Sequence, residues 1–302
     1  MNKFVVYTVI VGDYDELKQP LVVDERFDYI LFTDNVEQDR IGIWQVRSIE
    51  YKTNKNYLKA RYPRLNPEIV LPEYDAWLYH DGTMQIQSSM VYEKCVQYYK
   101  NGIEWVGVRH HCRNNVFEEI STIILDRDKN IHDYDCVDWY WHTKQQGYPT
   151  PDKLNGNLIE TGLIFRIKTH NVQKVNNYWW ESLEKYNVHR DQFSLPFALW
   201  RVPSLKFDYF LSKEENLWNN PYVVYAKHIG GRGELVRSMG ETIRYRCWRV
   251  SNTGELYTQV FDNAYRVSSK HPHIALNLYT LFMVVRYGGL VLKEMIKCRI
   301  QR

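Results

Sequence analysis

Asp81 closes the run of residues 76–79, Ala-Trp-Leu-Tyr, and its neighbour His80, within the longer stretch 72–85, and Gly82 follows it. The run is apolar and aromatic, as a strand covered on both faces should be, and the glycine supplies a sharp exit from the sheet. Ligands of open α/β sheets bind at such strand ends, where a carboxylate can hold a hard divalent cation that neutralises a diphosphate. Asp-Gly is also a common turn dipeptide, so a cap or turn explains the same residues. Glu160-Thr161-Gly162 interrupts a second apolar strand signal, residues 158–166. A carboxylate there costs free energy unless it is paired or opens on a cleft, and an ion pair with a neighbouring arginine is the plainer reading. Asp191-Gln192 follows His189-Arg190 at the start of a helical pattern through Phe193, Leu195 and Leu199, where Asp191 could simply cap the helix. Lys227-His228-Ile229-Gly230-Gly231-Arg232-Gly233 sets three glycines around a histidine and two basic side chains, which describes a flexible loop that seeks anions. A surface turn accounts for the glycines but not for the residues beside them. Arg109-His110-His111-Cys112-Arg113 invites a zinc site. Adjacent residues of an extended segment point to opposite faces, however, so the pattern predicts that His110 and His111 do not share an ion.

The elements that must position these residues read as a doubly wound sheet. Residues 4–11 form a strand rich in Val, Tyr and Thr that ends at Gly12-Asp13-Tyr14-Asp15, a turn whose backbone can approach a ligand. Residues 29–32 and 43–46 are two further strands, the first ending in Thr33-Asp34, and the polar segment 52–59 opens a helix. Three βα-type units therefore precede Asp81, an order that predicts an α/β sheet with helices on both faces rather than a sandwich. Residues 91–99 have helical spacing, 105–108 are a strand, 118–146 are one amphipathic helix, 172–186 are another, and 222–226 are a last strand. No G-x-G-x-x-G or Walker pattern occurs, which removes a Rossmann dinucleotide site and a P-loop kinase.

Composition sets bounds on the rest. The chain has 302 residues, 44% hydrophobic and 25% charged, enough for one full α/β core with appendages. Its 24 Tyr and 10 Trp offer flat faces with a polar handle that suit sugar rings or nucleobases, and equally an aromatic core. The five Cys form no C-x-x-C pair and are odd in number, against a disulfide framework, and point to a reducing cytoplasm. The N-terminal apolar run lacks the length and cleavage site of a signal peptide. Net charge is +3, yet residues 264–302 hold seven Lys or Arg against one acidic residue, so the body is net negative, a poor footprint for nucleic acid. The expected division is a catalytic domain over 1–263 and a basic, amphipathic helical tail over 264–302. In that tail the apolar run 274–285 is only 12 residues long and is interrupted at Arg286 and Gly288-Gly289. That is too short to span a bilayer, so the tail reads as an interfacial helix docking on an anionic membrane surface, or as a hairpin packed on the domain.

Taken together, Tyr7-Thr8-Val9-Ile10-Val11-Gly12-Asp13-Tyr14-Asp15, Phe32-Thr33-Asp34, Lys59-Ala60-Arg61-Tyr62-Pro63 with Asn66-Pro67, Asp81-Gly82, Ile159-Glu160-Thr161-Gly162 and Arg190-Asp191-Gln192 resemble a family of glycosyltransferase-like domains. That family occurs in bacterial polysaccharide proteins and plant mucilage-related proteins, and the resemblance covers about residues 4–232. More distantly the chain is similar to retaining transferases of the glycogenin and lipopolysaccharide galactosyltransferase kind, which have the GT-A fold. The resemblance implies a hexosyltransferase using a nucleotide sugar, a UDP-sugar by preference, in surface polysaccharide, capsule or lipopolysaccharide synthesis. It implies Asp81 and His228 as ligands of Mn²⁺ or Mg²⁺, although Asp81 lacks the second carboxylate of a D-x-D motif. It also implies Gln192, Asp191 and Glu160 as catalytic residues, with Glu160 on the acceptor side. Thr8, Gly12, Asp13, Tyr14, Asp34, Lys59, Arg61, Lys227, Gly230 and Arg232 would line the nucleotide sugar. A glycan or lipid-linked acceptor would complete the reaction, at the cytoplasmic face of the membrane. A non-catalytic scaffold of the same fold and a sugar nucleotidyltransferase remain as other readings.

Overall fold

In the computed structural model, residues 3–12, 14–125, 131–154, 156–186, 190–226, 237–251 and 255–300 are described, with side chains for all but residues 298–300. In chain order the elements are β1 (Phe4–Ile10), β2 (Phe27–Thr33), β3 (Arg40–Ile41), β4 (Trp44–Ser48), α1 (Asn56–Leu65), α2 (Pro67–Val70), β5 (Ala76–His80) and β6 (Met84–Ile86). They continue with α3 (Met90–Lys100), β7 (Trp105–Arg109), α4 (Val116–Leu125), α5 (Asp133–Gln145), β8 (Ile159–Ile167), α6 (His170–Tyr186), α7 (Asp191–Trp200), β9 (Phe207–Tyr209) and β10 (Val223–Tyr225). The helices α8 (Met239–Ser251), α9 (Thr258–Val267) and α10 (Pro272–Ile300) end the chain.

Eight strands form one mixed sheet in the order β3-β4-β2-β1-β5-β8-β7-β9. β1 lies parallel to β2 and β5, whereas β8 runs antiparallel to both β5 and β7. Side chains alternate along β1 with period two: Phe4, Val6 and Ile10 enter one core, Val5, Tyr7 and Val9 the other. The first core takes Val91, Tyr92, Cys95 and Val96 of α3; the second takes Val172, Val175, Trp179 and Leu183 of α6 with Leu195 and Ala198 of α7. Helices thus cover both faces, and the expected α/β architecture with a C-terminal helix is present.

Several elements differ from expectation. No helix separates β1 from β2 among the described residues, so the early units are joined by loop. The single helix expected over 118–146 is two, α4 and α5, because Ile131 and His132 between them are not helical. The last strand, β10, leaves the main sheet and pairs antiparallel with β6 in a two-stranded ribbon. α10 runs through Gly288-Gly289 without a break and is long and apolar enough, over Pro272–Lys297, to cross a membrane by length and composition. Glycine lowers helix stability by only about 1 kcal/mol per residue, so two of them weaken a 29-residue helix without ending it.

The chain divides into two compact units. One comprises Met1–Asn114, Gly156–Lys185 and His189–Gly231 and holds the sheet; the other comprises Asn115–Asn155, Tyr186–Val188 and Arg232–Arg302 and is helical. The helical unit thus takes α4 and α5 from inside the chain, besides α8, α9 and α10, rather than starting at residue 264.

Candidate functional site

Asp81 emerges at the C-terminal end of β5, beside the middle of β8. Its backbone N–H donates to the carbonyl of Gly162 (2.9 Å), and its Oδ1 accepts from the Tyr79 hydroxyl (2.7 Å). A Cβ at Gly162 would lie 2.4 Å from Met84 Cε and 3.1 Å from Asp81 Oδ2, so any larger residue there would push the ends of both side chains aside. The side chain of Asp81 is 31% exposed, and Oδ2 has no hydrogen-bonding partner among the described residues. That oxygen is the donor a hard divalent cation takes. The second ligand expected, His228, lies outside the described residues, as do Asp13, Lys227, Gly230 and Arg232.

The residue that ties the site together is Arg64, in the last turn of α1, which stops before Pro67 opens α2. Its guanidinium lies 2.7 Å from Asp191 Oδ2 and 3.4 Å from Asp81 Oδ1, over the Tyr79 ring, and it donates to the carbonyl of Thr161. Arg61, one helical turn earlier, reaches the same Asp191 oxygen at 3.7 Å. Burial opposes ionisation of Asp191, but Arg64, Arg61 and Arg190 outweigh it and hold the carboxyl below its ordinary range. Burial likewise works against the Arg64 charge, and Asp191, Tyr79 and Asp81 more than offset it, so the cation is fixed. Asp191 is the first residue of α7, where the helix dipole also favours a negative side chain.

Gln192 follows it into the same cleft and donates Nε2–H to Glu160 Oε2 at 2.8 Å. Glu160 is therefore a paired carboxylate within an otherwise apolar strand, and Gln192 and histidine are among its partners. Its Oε1 lies 3.0 Å from His111 Nδ1 and 3.5 Å from His110 Nε2. The two imidazoles stack at 5.0 Å with planes 11° apart, so the expectation that they point to opposite faces is wrong. The reason is that they lie just past the end of β7, where the chain turns: Nδ1 of His110 accepts the N–H groups of Cys112 and Arg113, each at 3.1 Å. Burial first, then the charges of Arg113, His111 and Arg190, push the His110 pKa down to about 3.

The expected nucleotide residues fall into a second group. Gly12, at φ 60°, donates its N–H to Asp34 Oδ1 (2.8 Å), and Lys59 Nζ approaches Asp34 Oδ2 at 3.3 Å. Burial raises the Asp34 pKa, but the Gly12 N–H and Lys59 prevail and lower it. Tyr14 is half-buried beside this turn. Thr8 is wholly buried in β1, and its hydroxyl has no partner among the described residues. The structure thus joins Gly12, Asp34 and Lys59 in one place, and Asp81, Arg61, Asp191, Gln192 and Glu160 in another. Arg64 and Trp218 were missed, and His111 was read only as a zinc candidate. Arg64 had a signal, since its spacing of three from Arg61 places both on one helical face. The pairing of His111 with Trp218, rings 4.2 Å apart, had none, the two being separated by more than a hundred residues of chain.

No protein-family model matches the chain, and no curated protein matches it. The resemblance drawn from its sequence motifs therefore stands on those motifs alone. Among solved structures the chain is similar to one described as a WbbM bifunctional glycosyltransferase in its apo form, with 10% sequence identity and a TM-score of 0.40. The likeness takes in 69% of this chain and 39% of that one, so this chain spans well under half the length of that protein.

Proposed function

We propose that the sheet-bearing unit is a glycosyltransferase that moves a hexosyl group from a nucleotide-diphosphate donor, by preference a UDP-sugar, to a glycan or lipid-linked acceptor in surface polysaccharide synthesis. The observation that carries this reading is the continuous run from Asp81 through Arg64 to Asp191, and on from Gln192 to Glu160, at the C-terminal end of β5. A departing diphosphate needs preorganised positive charge, and Arg64 and Arg61 are held there by their carboxylates. A Mn²⁺ or Mg²⁺ ion on Asp81, with His228 as a further ligand, would add Lewis-acid stabilisation of the leaving group. Gln192 and Asp191 present an amide and a carboxylate to an anomeric carbon that becomes oxocarbenium-like, which fits retention of configuration. Gly12, Asp34 and Lys59 would hold the nucleoside.

A panel of UDP-hexoses assayed for donor cleavage tests the reading. Cleavage of one of them, abolished in Asp81→Ala with the thermal midpoint preserved, is expected. No cleavage and no UDP binding by the unaltered protein would leave the scaffold reading.

We also propose that α10 lies at the cytoplasmic face of an anionic membrane. What supports this is its apolar exposure, from Leu281 and Phe282 to Val285, which is 87% exposed, with Arg286, Lys293 and Lys297 along it and Lys270 just before it. Co-sedimentation with anionic but not neutral vesicles, reversed by salt, is expected; salt-resistant retention would mean a spanning helix instead.

A further inference from the structure

Candidate ligand atoms of His110, His111 and Glu160 all lie within 4.8 Å of one another, which raises a metal site first. The hydrogen bonds oppose it. Nδ1 of His110 faces two backbone N–H groups, and an Arg113 guanidinium nitrogen stands 2.8 Å from Nε2, so a cation would have to displace a charged side chain to reach that ring. What is left is a carboxylate and one exposed imidazole. Building on the glycosyl-transfer reading, we propose that Glu160 and His111 form a dyad that takes the proton from the acceptor sugar's hydroxyl group, with Trp218 as the shelf for that sugar's ring.

Glu160 Oε1 lies 3.0 Å from His111 Nδ1. The carboxylate therefore fixes the ring proton at Nδ1 and leaves a lone pair on Nε2. Among the described residues Nε2 of His111 has no hydrogen-bond partner, and the side chain is 32% exposed. The carboxylate cannot turn away, because Gln192 Nε2 holds its other oxygen at 2.8 Å. The buried His110 ring backs the His111 ring by stacking and stays neutral. Trp218 is half exposed (50%), its ring centroid 4.2 Å from that of His111 and 5.5 Å from that of Tyr225. Its position is fixed by Asn216, whose Oδ1 accepts the N–H groups of Trp218 and Asn219 at 2.9 and 3.0 Å. An open aromatic face beside a free imidazole lone pair suits a pyranose, which offers an apolar C–H face and hydroxyl groups at its edge. Leu217, next to Trp218, approaches the same Gly162 that abuts Asp81, so the shelf borders the proposed donor site. In the transfer the acceptor oxygen bonds to the anomeric carbon from the face that the diphosphate leaves, so that configuration is retained, as the bond from that carbon to the diphosphate oxygen breaks and the electron pair leaves on the diphosphate. The hydroxyl proton passes to His111 Nε2 and then to water.

Long-range ¹H–¹⁵N NMR of the full chain with labelled histidine reads the dyad without any substrate. The expected result is the Nδ1–H tautomer at His111, shifting toward Nε2–H in Glu160→Gln. With the cleavable UDP-hexose and added sugar acceptors, His111→Gln should lower transfer by about 10²- to 10⁴-fold, the usual worth of a general base, while UDP affinity stays within about twofold. An Nε2–H tautomer at His111 in the unaltered protein, or transfer by His111→Gln at the normal rate, with UDP binding intact, overturns the dyad alone. Absence of UDP binding and donor cleavage in the unaltered protein overturns the transfer reading and this assignment with it.

Discussion

Arg244 in the helical unit and Arg64 in the sheet unit are both buried arginines paired with carboxylates, and they are built to different ends. Arg244 donates twice to Asp133, at 2.7 Å each, and once to Thr280, while the Tyr257 hydroxyl donates to Asp133 as well. Both side chains are sealed, at 1% and 0% exposed. Around Arg64 the carboxylates are shared rather than saturated: among the described residues Asp81 Oδ2 has no partner and the side chain opens to solvent, and Asp191 ion-pairs with both Arg64 and Arg61. A closed bidentate pair serves the fold, whereas a pair with capacity left over at an open edge is suited to a ligand.

The sharpest way to break the comparison is to remove one carboxylate from each. Asp133→Ala strands a buried guanidinium and should cost about 3–5 kcal/mol of stability, read from denaturant unfolding. Asp81→Ala should lower stability far less, because that carboxylate is partly exposed and its arginine keeps Asp191. Equal losses would mean that the Arg64 cluster is structural too.

Arg64→Lys keeps the charge but loses the fork that reaches Asp81, Asp191 and the Thr161 carbonyl together. Donor cleavage should fall by about 10²- to 10³-fold, the scale seen when one preorganised charge-stabilising donor is lost. Arg166→Lys is the control. That arginine is wholly buried among Tyr7, Asn176 and the Arg64 carbonyl, so its loss should show in the thermal midpoint before it shows in turnover per folded molecule.

These contrasts mark what could be read from the chain alone. The strands carrying Asp81 and Glu160 and the helix opened by Asp191 were legible, because apolar runs with period two or 3.6 need only local sequence. The cluster was partly legible, since Asp81, Glu160, Asp191 and Gln192 each break an apolar pattern. Which cation would join them was not: Arg61 and Arg64 look alike in sequence, and only the fold shows that Arg64 reaches Asp81, Asp191 and the Thr161 carbonyl together. The stacked His110 and His111 escaped because strand alternation was extended two residues past the point where β7 ends and the chain turns. The continuity of α10 escaped because two glycines carry more weight in a pattern than in a long helix.

Smaller effects separate the clusters by pH. For His110 the folded-state pKa lies below the unfolded value, so as pH falls below about 6.5 the unfolded chain gains a proton that the folded chain refuses, and stability drops. The slope should be about 1.4 kcal/mol per pH unit down toward the folded pKa of about 3, and His110→Gln should remove it from thermal midpoints measured between pH 7 and 4. Asp191, with its pKa depressed, contributes stability that is complete above the ordinary carboxylate range and is lost as pH falls through the folded value, a later acid step than that of His110. Weakest of all, each basic residue of α10 should contribute on the order of 1 kcal/mol to binding at an anionic leaflet, so Lys293→Gln should lower vesicle partition by about fivefold.

Isothermal titration of UDP into the full chain, with and without Mn²⁺, bears most directly on the claim that the open Arg64 cluster is a diphosphate site. The account predicts binding that Mn²⁺ strengthens, with the Mn²⁺ dependence lost in Asp81→Asn and the affinity itself reduced in Arg64→Lys. No heat of binding in either condition, or binding indifferent to both substitutions, would contradict it.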